Sequence, residues 1–411
     1  AARLTPEVMW KMSRIGEHTL SPDCKTLLYT LTRYNMAENR GISVIVSRNL
    51  ETGEEVELTD LSATSVSPVW SADGADIWFA TTRSGDMQLW KMQANGSQPK
   101  QVSNIEGGIE GFGISPDEKH IYYTQFVHAK DINSADVYSD AEKSKARIYD
   151  DLMVRHWDYW DSGKYLHIFV ADLLANGVGT GVDIIGEKSA WDAPLAPYFD
   201  HAEIAWSADG NQLAYTCKPL MGAEYAVSTD SDVFIYNLES GETRNICKGN
   251  KDFAFVGYDK YPVWSPKGDK IAFRSQERPG NEADKERLMI YDVATGEVKY
   301  ITPNFDYHAT NVVWADDETI YFIAPIEATH QICRVKADGA SVVEVITKGD
   351  HDINSFELCG ERCVGSVMTI SMAPELFDFD LTTGAMTKIT AVNDFVYDNI
   401  KMGEVQKRWV K

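Results

Sequence analysis

The strongest regularity in the chain is an apolar run, a short polar turn and a second apolar run. Residues 67–70 lead into Ser71-Ala72-Asp73-Gly74, and residues 77–81 (Ile-Trp-Phe-Ala-Thr) follow. Aromatic and β-branched residues fill the flanks, and Ala-Asp-Gly supplies a turn in which glycine takes a positive φ without steric cost. The pattern predicts strand, turn, strand. It recurs at Ser115-Pro116-Asp117 before 121–124, at Trp206-Ser207-Ala208-Asp209-Gly210 before 213–216, and at Trp264-Ser265-Pro266-Lys267-Gly268 before 271–273. Trp314-Ala315-Asp316-Asp317 before 320–323 is a fifth copy, and Ser21-Pro22-Asp23 before 27–30 is a degenerate first one.

A second hairpin signal follows most of these units: an apolar strand, a glycine turn and a polar strand. It is seen at 45–54, 89–96, 233–243, 288–298, 332–339 and 377–384. Two hairpins make four strands, the content of one propeller blade. The expected fold is all-β, a seven-bladed β-propeller of four-stranded antiparallel WD40-like blades. The blades fall at about 10–60, 64–104, 109–188, 196–249, 257–303, 307–349 and 351–393. The 92 residues from Ser115 to Ser207 read as one blade with insertions. The seventh blade lacks the turn motif and rests on the hairpin near Phe379 and Gly384. The propeller domain is expected over 1–402, with 403–411 the start of a junction to something else.

The long insertion covers 127–165. Its part at 131–145 is polar and reads as an exposed loop, and 148–161 reads as a short helix running into a loop. Shorter insertions fall at 218–229 and 277–285. A strand near Trp10 to Ile15 is available to close a ring against the last blade.

Composition changes this picture little. With 411 residues, 44% hydrophobic and 25% charged, the chain has enough apolar content for a large core. A net charge of −23 argues against nucleic acid or an anionic membrane as partner, since both need a basic face. No apolar run reaches the length of a membrane-spanning helix. Six cysteines are too few for a disulfide scaffold. Cys359 and Cys363 flank Gly360-Glu361-Arg362 at a hairpin tip, and form either a disulfide or two buried thiols. With no CxxC, no zinc site is expected.

No G-x-S-x-G, P-loop, H-E-x-x-H or dinucleotide fingerprint occurs, so no catalytic residue, metal or cofactor is expected in this chain. The densest constellation is Arg155, His156, Trp157, Asp158, Tyr159, Trp160 and Asp161. Flat apolar walls with a few placed charges suit a substrate pocket. The competing reading packs the tryptophans on blade edges and pairs Arg155 with Asp158 or Asp161. Glu203, in Asp200-His201-Ala202-Glu203 ahead of the Trp206 strand, falls near the inner end of a blade. It reads either as a funnel carboxylate or as part of a solvated loop. Trp70, Trp206, Trp264 and Trp314 are expected to pack blade against blade, and the repeated aspartate is turn chemistry.

The W-S-[PA]-D-G turns, the segment 152–158, the segment 228–237, Gln276-Glu277-Arg278 and the segment 283–288 together resemble the N-terminal propeller of prolyl-oligopeptidase-family serine peptidases. The resemblance is strongest to the acylaminoacyl-peptidase and dipeptidyl-peptidase-5 branch in its bacterial periplasmic forms. Lys407-Arg408-Trp409 is similar to that family's junction into a hydrolase domain. The resemblance implies a C-terminal α/β-hydrolase domain with a Ser-Asp-His triad as the intramolecular partner, and peptides as substrates. It implies that this chain is a gating segment with no turnover of its own. A periplasmic or secreted location follows, with a leader removed before residue 1, although a cytoplasmic one stays open. In related dipeptidyl peptidases, acidic propeller residues hold the substrate's α-amine, and Glu203 or Asp158 is the expected counterpart. The alternative is a stand-alone TolB-like propeller that binds a protein.

Overall fold

Local turn chemistry builds most of this architecture. In the computed structural model, which describes residues 2–411, the Ser-x-Asp turn ties the same knot in copy after copy. The serine hydroxyl donates to the turn aspartate at Ser71–Asp73, Ser115–Asp117 and Ser207–Asp209 (2.6–2.7 Å), and at Ser265–Asp269 (2.9 Å). The same oxygen accepts the N–H five residues on, from Thr26, Asp76, His120, Gln212 and Lys270. Gly74, Gly210 and Gly268 take the left-handed position of the turn. In the degenerate copies Cys24 and Glu118 occupy it at φ 62° and 58°.

The hairpins assemble into sheets that are almost wholly antiparallel, four of which have four strands. One comprises Arg14–Leu20, Thr26–Asn35, Arg40–Asn49 and Glu55–Glu57; the next Ser65–Trp70, Asp76–Thr81, Gln88–Gln93 and Lys100–Gln101. A third holds Gly111–Ile114, His120–His128 and Lys164–Leu174, with Gly177–Val178 and Val182–Asp183 both paired to the last of these. Ile204–Trp206, Gln212–Cys217, Asp232–Asn237 and Thr243–Asn245 form a fourth, and Asp259–Trp264, Lys270–Ser275, Arg287–Asp292 and Val298–Tyr300 a fifth. Near the C-terminus Asp352–Cys359, Arg362–Thr369, Met372–Phe379 and Met386–Lys388 pair in sequence order. This set has no Trp-Ser-Asp turn, yet it is fully formed.

The chain divides into two compact units. One takes the chain through Ile105 together with Tyr321–Arg334 and everything from Glu344; the other takes Glu106–Ile320 and Val335–Val343. Within each, the turn tryptophans do what the sequence predicts. Trp70 Nε1 donates to the Thr19 carbonyl (3.2 Å), and Trp206 to Gly113 (3.0 Å). Trp264 reaches Ala205 (3.0 Å) and Trp314 reaches Val263 (3.1 Å). Each indole crosses from its own strand to the first strand of the preceding sheet.

Three expectations are corrected. Residues 148–161 form no helix; Arg155–His156 and Tyr159–Trp160 pair as a small hairpin. Cys359 does not bond Cys363 but Cys24, with Cα atoms 5.6 Å apart. The strand register explains why: Cys363 lies opposite Leu358 and Cys359 opposite Arg362, so the two cysteines face opposite sides of the hairpin. Cys363 is a buried free thiol. Finally, Arg14–Leu20 pairs with Thr26–Asn35 of its own sheet. The chain's ends meet through a single parallel backbone bridge, Ala2 to Ile400, in which Lys401 N–H donates to the Ala2 carbonyl at 2.8 Å, and through side chains. Ile15, Leu20, Tyr29 and Val46 share a core with Val364 and Leu376. Asn393 clamps Ser13 by accepting its N–H (2.8 Å) and donating to its carbonyl (2.9 Å).

Candidate functional site

The long insertion and the polar turn before Ile204–Trp206 both belong to the second compact unit. The insertion leaves sheet strand His120–His128 and returns at Lys164–Leu174, which pair along nine residues. Its tip hairpin is pinned from below. Tyr149 donates to the Asp161 carbonyl (2.8 Å), and the Asp161 carboxylate accepts from Gly163 N–H (2.9 Å) and Tyr165 OH (3.2 Å). Asp161 is therefore spent on shaping the loop.

The other residues of the constellation face outward. Trp157 is 62% exposed and Trp160 51%, while Arg155 and Asp158 are exposed and His156 is half-buried. Arg155 pairs with neither Asp158 nor Asp161 among the described residues, so the ion pair of the competing reading is absent. The aromatic rings instead form a ladder. His156 lies 4.8 Å from Trp157 and 6.0 Å from Tyr159, and Trp157 meets Tyr198 edge-on at 5.9 Å. Exposed aromatics held this way offer flat apolar faces to a ligand with Arg155 and Asp158 at hand.

Tyr198 sits in the segment that leads to Glu203. The short 3-10 turn His201–Glu203 is capped by Asp200, whose Oδ1 accepts from Ala202 N–H at 3.0 Å. Glu203 is only 4% exposed, so the solvated-loop reading does not hold. Its Oε2 accepts from Leu195 N–H at 3.2 Å. Burial pushes its carboxyl up to about 7, partly offset by that N–H and by the charges of Lys260 and Arg274, while Asp200 adds to the rise. Asp192 behaves alike: burial raises it to about 7 although its Oδ1 accepts from Leu166 N–H at 2.7 Å. Burial lowers the proton affinity of His201, whose Nε2 contacts Thr124 Oγ1 at 2.7 Å.

Sequence reasoning missed the cationic and aromatic groups around Glu203. Arg274 lies 3.9 Å over the Tyr261 ring, and Tyr261 OH donates to Asp200 Oδ2 at 2.9 Å. Lys260 stands 4.9 Å from the Tyr258 ring and 3.3 Å from Glu286, which Arg274 also approaches at 3.6 Å. The signal was a break in the repeat. The residues 65–67 that open one first strand are Ser-Val-Ser, whereas 258–261 read Tyr-Asp-Lys-Tyr. Together these groups make a buried carboxyl whose proton affinity responds to the charges of Lys260 and Arg274, both paired with Glu286, on the same unit as the exposed aromatic hairpin. Such a set can bind an ammonium group through Glu203 and a carboxylate or carbonyl through Lys260 or Arg274.

Comparison with known proteins gives consistent relatives, although no family model matches the chain. Dipeptidyl-peptidase 5 of Porphyromonas gingivalis is 37% identical over 413 residues, covering 99% of this chain and 58% of that protein. The Porphyromonas endodontalis protein of the same name is 34% identical, covering 100% and 58%. The dipeptidyl-peptidase 5 of Aspergillus fumigatus is 25% identical over 77% of this chain. The chain thus spans somewhat over half the length of the curated relatives it matches first. Among solved structures, an acylaminoacyl peptidase in complex with Z-Gly-Gly-Phe-chloromethyl ketone superposes with TM-score 0.72 at 18% identity, over 97% of this chain and 56% of that one. The β-propeller domain of the Trilobed protease from Pyrococcus furiosus does so with TM-score 0.60 at 17% identity, over 93% and 100%. At such identities these structures speak to the fold, which is that of a propeller.

Proposed function

We propose, from the premise that this chain belongs to the prolyl-oligopeptidase-type serine peptidases in their dipeptidyl-peptidase-5-like branch, that it is the substrate-selecting propeller of such an enzyme. In this reading residues 1–402 are a seven-bladed propeller and 403–411 lead into an α/β-hydrolase domain that supplies the nucleophile. The hydrolase domain and peptides are its partners, and the enzyme works in the periplasm or outside the cell. The Cys24–Cys359 disulfide supports an oxidising compartment.

The observation that carries the reading is Glu203, a buried carboxyl poised near neutrality beside Lys260 and Arg274, in a chain whose relatives are named for removing dipeptides. A peptide with a free α-amine brings the cation that ionises Glu203 and lowers the cost of its burial. Trp157, Trp160 and His156 supply the walls against which the first side chains lie, with Arg155 and Asp158 at their edge. Charge-assisted hydrogen bonds of this kind are worth roughly 1.5–3 kcal/mol, so losing one costs about 10- to 100-fold in kcat/KM. In the complete peptidase, Glu203→Gln should lower kcat/KM by that factor for dipeptide substrates with a free amine. It should leave N-acylated analogues unaffected. Equal kinetics of wild type and Glu203→Gln on free-amine substrates would remove the anchoring role, and Asp158→Asn tests the other carboxylate in the same assay.

A further inference from the structure

Most sheets share an interior clasp, and in the sheet that contains Asp232–Asn237 a thiol takes the place of its hydroxyl. A backbone N–H on the third strand donates to a hydroxyl 14 or 15 residues later: Ile45 to Thr59, Leu89 to Ser103, Leu288 to Thr302, Ile332 to Thr347, and Leu376 to Thr390. The residue before that N–H often closes the network. Gln88 Oε1 accepts from Ser103 Oγ (2.6 Å), Gln331 Oε1 from Thr347 Oγ1 (2.7 Å), and Glu375 Oε2 from Thr390 Oγ1 (2.6 Å).

In the sheet that contains Asp232–Asn237 the N–H of Val233 donates to the sulfur of Cys247 at 3.5 Å. The preceding residue is Asp232, and Asp259 at the start of the next sheet completes a triplet. One donor atom from each of Asp232, Cys247 and Asp259 lies within 4.8 Å of the others, and all three residues are buried. Neither carboxylate oxygen of Asp259, which is fully buried, has a hydrogen-bond partner, and Asp232 Oδ1 has none either. The Ser275 hydroxyl lies near enough to favour the charged form of Asp259 but outside hydrogen-bond geometry. Asp232 Oδ2 is fixed by Asn245 Nδ2 at 2.9 Å.

The nearby cations are committed elsewhere. Lys248 Nζ contacts both oxygens of Asp230 (2.7 and 2.8 Å) and stands 3.5 Å from Asp232. The Arg287 guanidinium is spent on the Ser275 carbonyl (3.3 Å) and hydroxyl (2.9 Å). Two buried carboxylates therefore converge with a thiol, both oxygens of Asp259 being unpartnered and Asp232 Oδ1 being met only by Lys248 Nζ at 3.5 Å. Unpaired buried carboxylates cost several kcal/mol, so such a set holds either protons or a cation.

We infer that Asp232, Cys247 and Asp259 form a binding site for a thiophilic divalent cation of the Zn²⁺ class. Tetrahedral Zn²⁺ with bonds of about 2.0–2.3 Å needs donors about 3.3–3.8 Å apart, so a contraction of roughly 1 Å closes the site, with water as the fourth ligand. Asn245 acts behind Asp232 as an orienting partner. Lys248, whose side chain is 47% exposed, lies between the site and solvent and marks the way in. Binding releases the thiol proton, and any proton held between the carboxyls, to solvent.

The test uses the chain stripped with a chelator and titrated with Co²⁺. The expected result is a one-to-one complex with a sulfur-to-cobalt charge-transfer band and the visible bands of tetrahedral cobalt, both displaced by Zn²⁺. Cys247→Thr installs the residue type that other sheets use at this point, so it should fold with an unchanged melting temperature and lose the charge-transfer band. Asp259→Asn should weaken binding at least tenfold. The exposed His128, Asp131 and Asp136 group contains no sulfur and cannot give that band. Absence of the band in wild type, or its survival in Cys247→Thr, overturns the site and leaves the acids as a proton-sharing pair.

Discussion

Reducing or deleting the Cys24–Cys359 disulfide should lower stability by a predictable amount. The bond joins residues 335 apart. In the chain-entropy picture a cross-link over that length removes about 6 kcal/mol of freedom from the unfolded ensemble, and native disulfides typically deliver 2–5 kcal/mol. Other ties at the same junction, the Ser13–Asn393 clamp and the shared core of Ile15, Leu20, Val364 and Leu376, persist without it. The folded state therefore survives reduction, and the effect is on the unfolded side. With an unfolding entropy of about 2.1 cal/mol/K per residue, 3–5 kcal/mol corresponds to a fall in Tm of about 3–6 °C for a chain of this size. Calorimetry of the oxidised protein, the same sample in reductant, and Cys24→Ser should give two values, with the last two equal. A bond between Cys359 and Cys363 would close a loop of a few residues and contribute only about 2 kcal/mol. In that case Cys363→Ser would be the damaging change and Cys24→Ser would be silent. An unchanged Tm on reduction, or that inverted pattern, refutes the assignment. A non-reduced peptide map checks it directly.

Stability should also fall as pH rises through neutrality. Glu203 and Asp192 sit at about 7, and Asp232 at about 6, all raised by burial, so the folded state holds their protons more tightly than the unfolded state. Their stabilisation is complete below pH 4 and is lost as pH climbs through 6–7. For Glu203, raised from an ordinary 4.5, the share is about 3 kcal/mol, and Glu203→Gln should flatten the profile of Tm against pH between 5 and 8 by that share. Trp264→Phe removes the indole that reaches the Ala205 carbonyl and should cost about 2 kcal/mol in denaturant unfolding, whereas Trp157→Ala at an exposed position should stay within about 0.5 kcal/mol. Asn393→Ala strands both backbone groups of Ser13 in the interior and should cost about 3 kcal/mol; a loss under 1 kcal/mol would show that the clamp is dispensable.

What the sequence made legible is what the chain decides locally. The Ser-x-Asp turns, the glycine hairpins and the tryptophan that follows each apolar run depend on residues within about ten positions of one another, and all of them appear as read. Long-range pairing is where that reading stops. Cys359 has a neighbour four residues away and a partner 335 residues away, and only strand register tells which face it takes. Residues 148–161 carry enough apolar groups for a helix, but Asp161 accepts from Gly163 and Tyr165 and turns the segment into a hairpin. Asp200-His201-Ala202-Glu203 reads equally as a wet turn because its only apolar residue is the small Ala202. Only Glu203 of the four is buried, and the following sheet supplies neighbours of the turn such as Tyr261, whose OH donates to Asp200.

These failures share a cause. A repeat makes each copy predictable from the others, so the informative residues are those at which a copy departs from the rest. Thr59, Ser103, Thr302, Thr347 and Thr390 define an interior hydroxyl, and Cys247 is the departure. Small residues open the strand Ser65–Trp70, and Asp259, Lys260 and Tyr261 open the corresponding strand Asp259–Trp264. The first departure places a thiol beside two buried carboxyls, and the second buries charge that a scaffold alone has no reason to bury. They lie in adjacent sheets of one compact unit, the unit that also carries the long insertion. The other unit spends exceptions such as Cys24, Cys359 and Asn393 on fastening its ends. Copies that conform supply the scaffold, and the chemistry is to be sought where the sheets containing Asp232–Asn237 and Asp259–Trp264 break the pattern.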